Sequence, residues 1–379
     1  MKPLTERFLS LDVFRGMTLC FMIIVNTPGR GAIPFAMLEH AAWHGFTPTD
    51  LVFPSFLFAV GNAMSFSMKR FSQMDNSQVL LKIFKRTFLI FIIGYLMYWF
   101  PFFKYDKQGH IIFAVIENTR IMGVLQRIAV CFGVASLMIH YLSGKTVIWM
   151  SVFFLIGYWI CLLLFGDSGA ELTMTGNAGY YLDKLLLGES HLYHGDTLHG
   201  KHIAFDPEGI LSTIPAIVNV IIGYFAGKFI QEKGKGYESI AKLFLAGSLL
   251  VLIAICWNSV FPVNKKLWTS SFVLITCGLD LMIIGTLLYI IEVRQSISWT
   301  KFFVIFGKNP LFIYIVADLL LIIIDTLFPH LHFNKWINVN FFQVIAPGPV
   351  GSLLFAICFM LVCWMVAYIL DKRKIYIRV

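Results

Sequence analysis

Asn26, His40 and Asp50 fall within one stretch, NTPGRGAIPFAMLEHAAWHGFTPTD, that separates two long apolar runs. An imidazole is the usual general base for taking a proton from an amine or hydroxyl, and it can also accept an acyl group itself. The Asn26 amide can donate to a carbonyl oxygen that gains negative charge, and the Asp50 carboxylate can orient the imidazole. A single histidine in a polar loop is also commonly without chemistry, so residue types alone leave both readings open. Trp43 and His44 flank the same histidine.

Further ionisable side chains sit inside apolar runs, where a charge is costly and marks either pairing or function. Asp12 and Arg15 in SLDVFRG are three residues apart, which fits a self-neutralising pair on one helix face or an anion-binding pair. Arg127 in GVLQRIAV fits a ligand contact or a structural partner for a carboxylate such as Asp50 or Asp280. Lys308 and Asn309 lie in FGKNPLFIYI, where Gly307, Asn309 and Pro310 predict a break or kink. The segment 166–210 holds HLYH at 191–194 and HGKH at 199–202. That spacing can bind a metal, but no acidic or Cys partner stands at a fixed offset, so no metal is expected. A lid over a bound substrate is the reading preferred for this segment.

The elements that must position these residues are membrane helices. The 379 residues are 58% hydrophobic and only 13% charged, with mean hydropathy +0.77, beyond the range of ordinary soluble domains. The net charge of +9 is scattered in short clusters between apolar runs, so no nucleic-acid surface is expected. The seven cysteines all lie in apolar runs with no CxxC, as inert core residues do. The N-terminal run carries Asp12 and Arg15 and no small-residue cleavage site, which predicts a retained first helix.

Ten stretches are long enough to span a bilayer: 9–26, 51–68, 87–105, 121–141, 146–165, 211–229, 243–260, 270–291, 302–327 and 350–370. The fold expected is therefore all-α and polytopic, a single transmembrane domain over 1–379. An even number of spans puts both termini on one side, and that side carries roughly twice the Lys and Arg of the other. Lys2, Arg7, Lys69, Arg70, Lys82, Lys85, Arg86 and Arg378 contribute to this bias, against Lys104, Lys107, Lys265 and Lys266 opposite. Both termini are expected to be cytoplasmic, with 26–50 and 166–210 at the outer face. Thr47 or Thr49 is placed to cap the second helix, with Asp50 in its first turn. There is no tandem repeat and no pair of inverted halves with matching broken helices, which weighs against the alternative of a transporter for a small anion or sugar.

SLDVFRG, the VN with its Gly-containing turn, EHAAWHGFTPTDLVFPSFLFAVG, GVLQRIA, DPEG, LWTSSFVLITCGL and GKNPLFIYI occur in this order across almost the whole chain. Together they resemble the heparan-alpha-glucosaminide N-acetyltransferase family, in a bacterial form; the block from His40 through DLVFPSFLF is the most specific. The resemblance implies a multi-helix membrane enzyme that takes acetyl-CoA from the cytoplasm and acetylates a terminal amino sugar on the far side. It implies His40 as the catalytic histidine, Asn26 as the catalytic-site asparagine and Asp50 as the acid heading the next helix. Arg15, Arg127, Lys308 and Asn309 are then candidates for coenzyme binding, and Asp12, Trp43 and His44 for the acceptor. Acetyl-CoA is the co-substrate, the bilayer and an amino-sugar acceptor are the partners, a homodimer is possible by likeness, and a bacterial inner membrane is the expected location. Lysosomal members carry a long luminal domain ahead of the first matching helix and an Asn where His44 stands, so heparan sulfate is not carried over as acceptor. The basic cluster from Lys69 to Arg86 serves as a topology signal or as an attractor for coenzyme phosphates. Two mechanisms remain open, direct transfer with His40 as base and ping-pong through an acetylated His40.

Overall fold

The computed structural model describes residues 8–105, 110–198, 200–328 and 332–377. Lys2, Arg7, Lys107, His199 and Arg378, used in the reading above, lie outside these residues. The described chain is a helical bundle: α1 (Leu9–Asn26), α2 (Pro48–Phe71), α3 (Asn76–Trp99), α4 (Val124–Tyr141), α5 (Gly144–Phe165), the short α6 (Ala178–Leu187), α7 (Ile210–Lys233), α8 (Tyr237–Asn258) and α9 (Ser270–Leu287). It continues through α10 (Thr300–Lys308), α11 (Pro310–Leu327), the short α12 (Phe333–Ile337) and α13 (Gln343–Ile345), and α14 (Pro349–Lys372). Its only sheets among the described residues are two antiparallel hairpins, β1 (Phe103–Tyr105) with β2 (Ile111–Phe113) and β3 (Asp196–Leu198) with β4 (Lys201–Ile203).

Nine of these segments are long and apolar enough to cross a membrane. α3 is the tenth expected span and differs from the others in its charge. It begins at Asn76, well before the predicted 87, so Lys82, Lys85 and Arg86 ride on the helix instead of forming a loop. Long basic side chains allow this because their alkyl stems cover apolar surface while the charge reaches water; Arg86 stacks 4.5 Å over the Phe132 ring of α4. The predicted 302–327 span is two helices, α10 and α11. Pro310 has no N–H to continue the ladder, and Asn309 leaves helical geometry with φ −130°.

Burial sorts the helices into a centre and a periphery. In α2 and α7, 72% of the spanning window is buried, against 28% in α5 and α8 and 17% in α11. The peripheral helices expose rows of large apolar residues, among them Trp149, Phe153, Leu245, Leu252 and Val362 on α14, the pattern of a lipid-facing surface. α2 and α7 approach so closely that a Cβ on Gly61 would meet the Val220 carbonyl at 2.0 Å, and one on Gly223 the Phe58 carbonyl at 2.1 Å. These helices fix the N-terminus of α2, where Asp50 stands.

Candidate functional site at the head of the second helix

Asp50 is fully buried, and its carboxylate gathers the preceding loop around it. Oδ2 accepts the N–H groups of Thr47 at 2.9 Å and Ala41 at 3.2 Å, while Oδ1 lies 2.7 Å from His40 Nδ1. Thr47 is therefore the capping residue of the predicted pair, and its hydroxyl donates to Glu39 O at 2.7 Å. Thr49 instead donates to Met37 O at 3.1 Å. A carboxylate only accepts, so the pairing assigns the ring proton to Nδ1 and leaves the Nε2 lone pair pointing away from the acid. The His40 side chain is 43% exposed. The structure thus brings His40 and Asp50 into direct contact.

A third group completes this cluster. Lys265 Nζ lies 2.9 Å from His40 Nε2, 3.0 Å from Nδ1 and 4.0 Å from Asp50 Oδ1. Its turn is built by Asn264, whose side-chain oxygen accepts Leu267 N–H at 2.8 Å and whose N–H reaches Thr269 Oγ1 at 3.0 Å. Trp268 holds a left-handed φ of 54° and is anchored, fully buried, by its indole N–H on Asn219 Oδ1 at 3.1 Å. Gly45 N–H donates to Val263 O at 2.8 Å, stapling the histidine loop to the lysine turn. Burial pulls the Lys265 pKa down to about 8, although Asp50 and Glu208 oppose the shift. In the sequence Lys265 shows only as one of the charges on the side poorer in Lys and Arg.

The segment 166–210 packs over this cluster. Trp43 donates its indole N–H to Leu172 O at 2.9 Å and sits 5.8 Å from the Phe205 ring. Lys266 pairs with Asp196 at 2.5 Å. Asn264 reaches His44 Nδ1 at 3.4 Å. Arg120 binds Asp206 through Nε at 2.9 Å and through Nη2, which also binds Glu208, and its guanidinium lies between the Tyr98 and Tyr193 rings at 5.0 and 4.8 Å. Burial opposes ionisation of Glu208, but Arg120 and Arg127 outweigh it and hold the carboxyl below its ordinary value. Far from a plain loop, this segment contains α6 and the β3–β4 hairpin. His191 Nδ1 lies 2.8 Å from Thr119 O.

The other candidates lie apart. Arg127 is fully buried, bonded to the Ser212 hydroxyl and to Gly209 O at 3.3 Å, and stacked 4.7 Å over Trp268. Neither suggested carboxylate is its partner, because Asp50 holds His40 and Asp280 accepts the Ser55 hydroxyl at 2.5 Å. Asp12 and Arg15 form their i,i+3 pair at 3.0 Å. Lys308 pairs with Asp371 at 2.5 Å, and Asn309 bonds the backbone of Ile375 and Ile377 at 3.0 and 2.8 Å. Asn26, the last residue of α1, lines a cavity of about 270 Å³ with Tyr98, Gln126, Tyr314 and Asp318. His40, Asp50 and Lys265 are not in that lining.

An all-α bundle with nine helices, among the described residues, long and apolar enough to cross a membrane, and with a half-exposed histidine on a buried acid at the head of α2, defines a polytopic membrane protein. Residues 7–261 match the family model described as heparan-alpha-glucosaminide N-acetyltransferase, catalytic. The chain belongs to this family. It is 28% identical over its whole length to the human heparan-alpha-glucosaminide N-acetyltransferase, of which it covers 61%. It is 29% identical to the mouse protein of the same name over 83% of this chain and 54% of the mouse protein. The chain thus spans little more than half to three-fifths of the length of these relatives.

Proposed function

We propose that this chain is a transmembrane N-acetyltransferase that moves an acetyl group from acetyl-CoA to an amino sugar of the glucosamine type. The reading rests on the family and, in the geometry, on one observation: the His40–Asp50 pair with its Nε2 lone pair directed away from the acid. In the direct-transfer form, the acceptor amine attacks the thioester carbonyl carbon and the C–S bond breaks. His40 Nε2 takes the N–H proton, and the departing thiolate is protonated. Asp50 keeps the tautomer and stabilises the imidazolium that forms. Asn26, which lines the cavity between α1, α3, α4 and α11, donates to the carbonyl oxygen as charge develops there.

The coenzyme approaches from the cytoplasmic side, where the Lys and Arg excess lies, with Arg15, Lys308 and Asn309 on that half of its path. Segment 166–210, with Trp43 and His44, closes over the outer end of the path by which the acceptor enters. The whole is one transmembrane domain in a bacterial inner membrane. The test is transfer of labelled acetyl from acetyl-CoA to glucosamine by purified protein. His40→Ala is expected to lose at least about 100-fold in kcat/KM, as general-base removal does. Transfer by the variant at the wild-type rate overturns the role of His40, and acetylated His40 trapped with acetyl-CoA alone overturns direct transfer in favour of ping-pong.

A further inference from the structure

The cavity beside Asn26 lies between α1, α3, α4 and α11, and its polar groups are unusual for a crevice among membrane helices. Gln126 is fully buried, and neither atom of its side-chain amide has a hydrogen-bond partner among the described residues. A buried amide without partners is costly unless something else satisfies it. Asp318 projects from α11 into the same space and accepts a hydrogen bond from the Tyr314 hydroxyl. A carboxylic acid in a spanning helix is likewise costly and signals a ligand path. Arg30 and Asp325 also line the cavity, and Asp325 accepts Phe333 N–H at 2.9 Å. Two acids against one arginine favour a cation. The volume, about 270 Å³, falls just below the range of about 300–1,000 Å³ for sites holding drug-sized ligands, which suits a single sugar ring.

Tyr98 in the cavity wall accepts a hydrogen bond from Arg120 Nη1 at 3.2 Å, and Arg120 in turn binds Glu208. We infer that this cavity seats the acceptor as a protonated amino sugar, with Asp318 holding its ammonium group and taking one of its protons to free the amine, and Gln126 binding its hydroxyls. The assignment rests on the acetyltransferase reading and names the part of the site that selects an amine over a hydroxyl. Protein recognition of this kind is steep, because an acid left without its cation in a buried place loses an interaction that water no longer supplies.

The experiment uses the full chain in detergent with glucosamine, glucose and acetyl-CoA as separate probes. Direct binding of each sugar is measured calorimetrically, and acetyl-CoA KM in the transfer assay. Wild type is expected to bind glucosamine at least tenfold more tightly than glucose. Asp318→Asn should abolish that preference, with acetyl-CoA KM unchanged within twofold. Tyr314→Phe, which retains the acid, should weaken glucosamine about threefold and serves if Asp318→Asn does not fold. No preference for glucosamine in wild type, or unchanged glucosamine binding in both variants, overturns the assignment. A rise in acetyl-CoA KM that matches the loss of glucosamine binding also overturns it and gives the cavity to the coenzyme. Glucosamine binding that depends on Asp318, in a protein that never transfers acetyl, upholds the seat and refutes the enzyme.

Discussion

Lys265 sets the terms on which His40 can act. An ammonium group 2.9 Å from Nε2 and 3.0 Å from Nδ1 sets a positive charge against the imidazole that must take up the acceptor's proton. Burial lowers the lysine pKa to about 8, so the ammonium gives way to the amine within a mildly alkaline range, where the charge opposing protonation of His40 is lost. The log of kcat/KM is therefore expected to rise with pH through a midpoint near 8, and Lys265→Met should lose that limb between pH 7.5 and 9. A limb that persists in Lys265→Met assigns it to another group. Stability carries the same sign: the unfolded chain holds the lysine proton up to about 10.4 and the folded chain only to about 8. Unfolding therefore takes up a proton between these values, and wild-type stability rises with pH across that window, whereas Lys265→Met is flat there. The contact between His40 and Asp50 was legible in the sequence because the two stand ten residues apart around the start of one helix. Lys265 and Asp318 were not, since a lysine in an outer turn and an acid in an apolar helix reveal roles only through neighbours more than 200 residues away in sequence, such as His40 for Lys265.

At the scale of elements, the site depends on how tightly α2 is held. Gly61 and Gly223 let the two helix backbones touch, and close approach of this kind is the main source of attraction between helices in lipid. Gly223→Ala places a methyl group where the Phe58 carbonyl stands at 2.1 Å, so the helices must separate. The expected cost is about 1–3 kcal/mol, the usual penalty of overpacking, read as a lower midpoint of thermal unfolding in detergent. Because Asp50 heads α2, activity should fall with it; unchanged stability means the helices have room that the close contact denies. Most spans were readable from length and hydropathy, since a bilayer imposes both. The start of α3 was not, because basic residues on a helix and in a loop look alike without the Phe132 ring beneath Arg86. The folding of 166–210 into α6 and β3–β4 was hidden for a different reason: polar composition records exposure to water and says little about local helices or hairpins.

For the whole molecule, the decisive property is which end faces the cytoplasm. Asn26, His40, Lys265 and segment 166–210 share one end of the bundle, because α1 ends where α2, α7 and α9 begin. Lys69, Arg70, Lys145, Lys233, Lys235 and Lys372 cluster at or near the other. Retention of positive charge on the cytoplasmic side would place that second end inside and the site outside. A coenzyme bearing phosphates does not cross a bilayer, so the reaction would then require the thioester to reach outward between helices while the nucleotide stays on the basic side. Alkaline phosphatase, which folds to an active form only outside the cytoplasm, should be active when inserted after Gly169 and inactive when fused at the C-terminus. The reverse pattern would put His40 on the same side as the cytoplasmic acetyl-CoA pool. The bundle would then have no reason to span a membrane for this chemistry, and the vectorial form of the proposal would fall even if acetyl transfer itself survived.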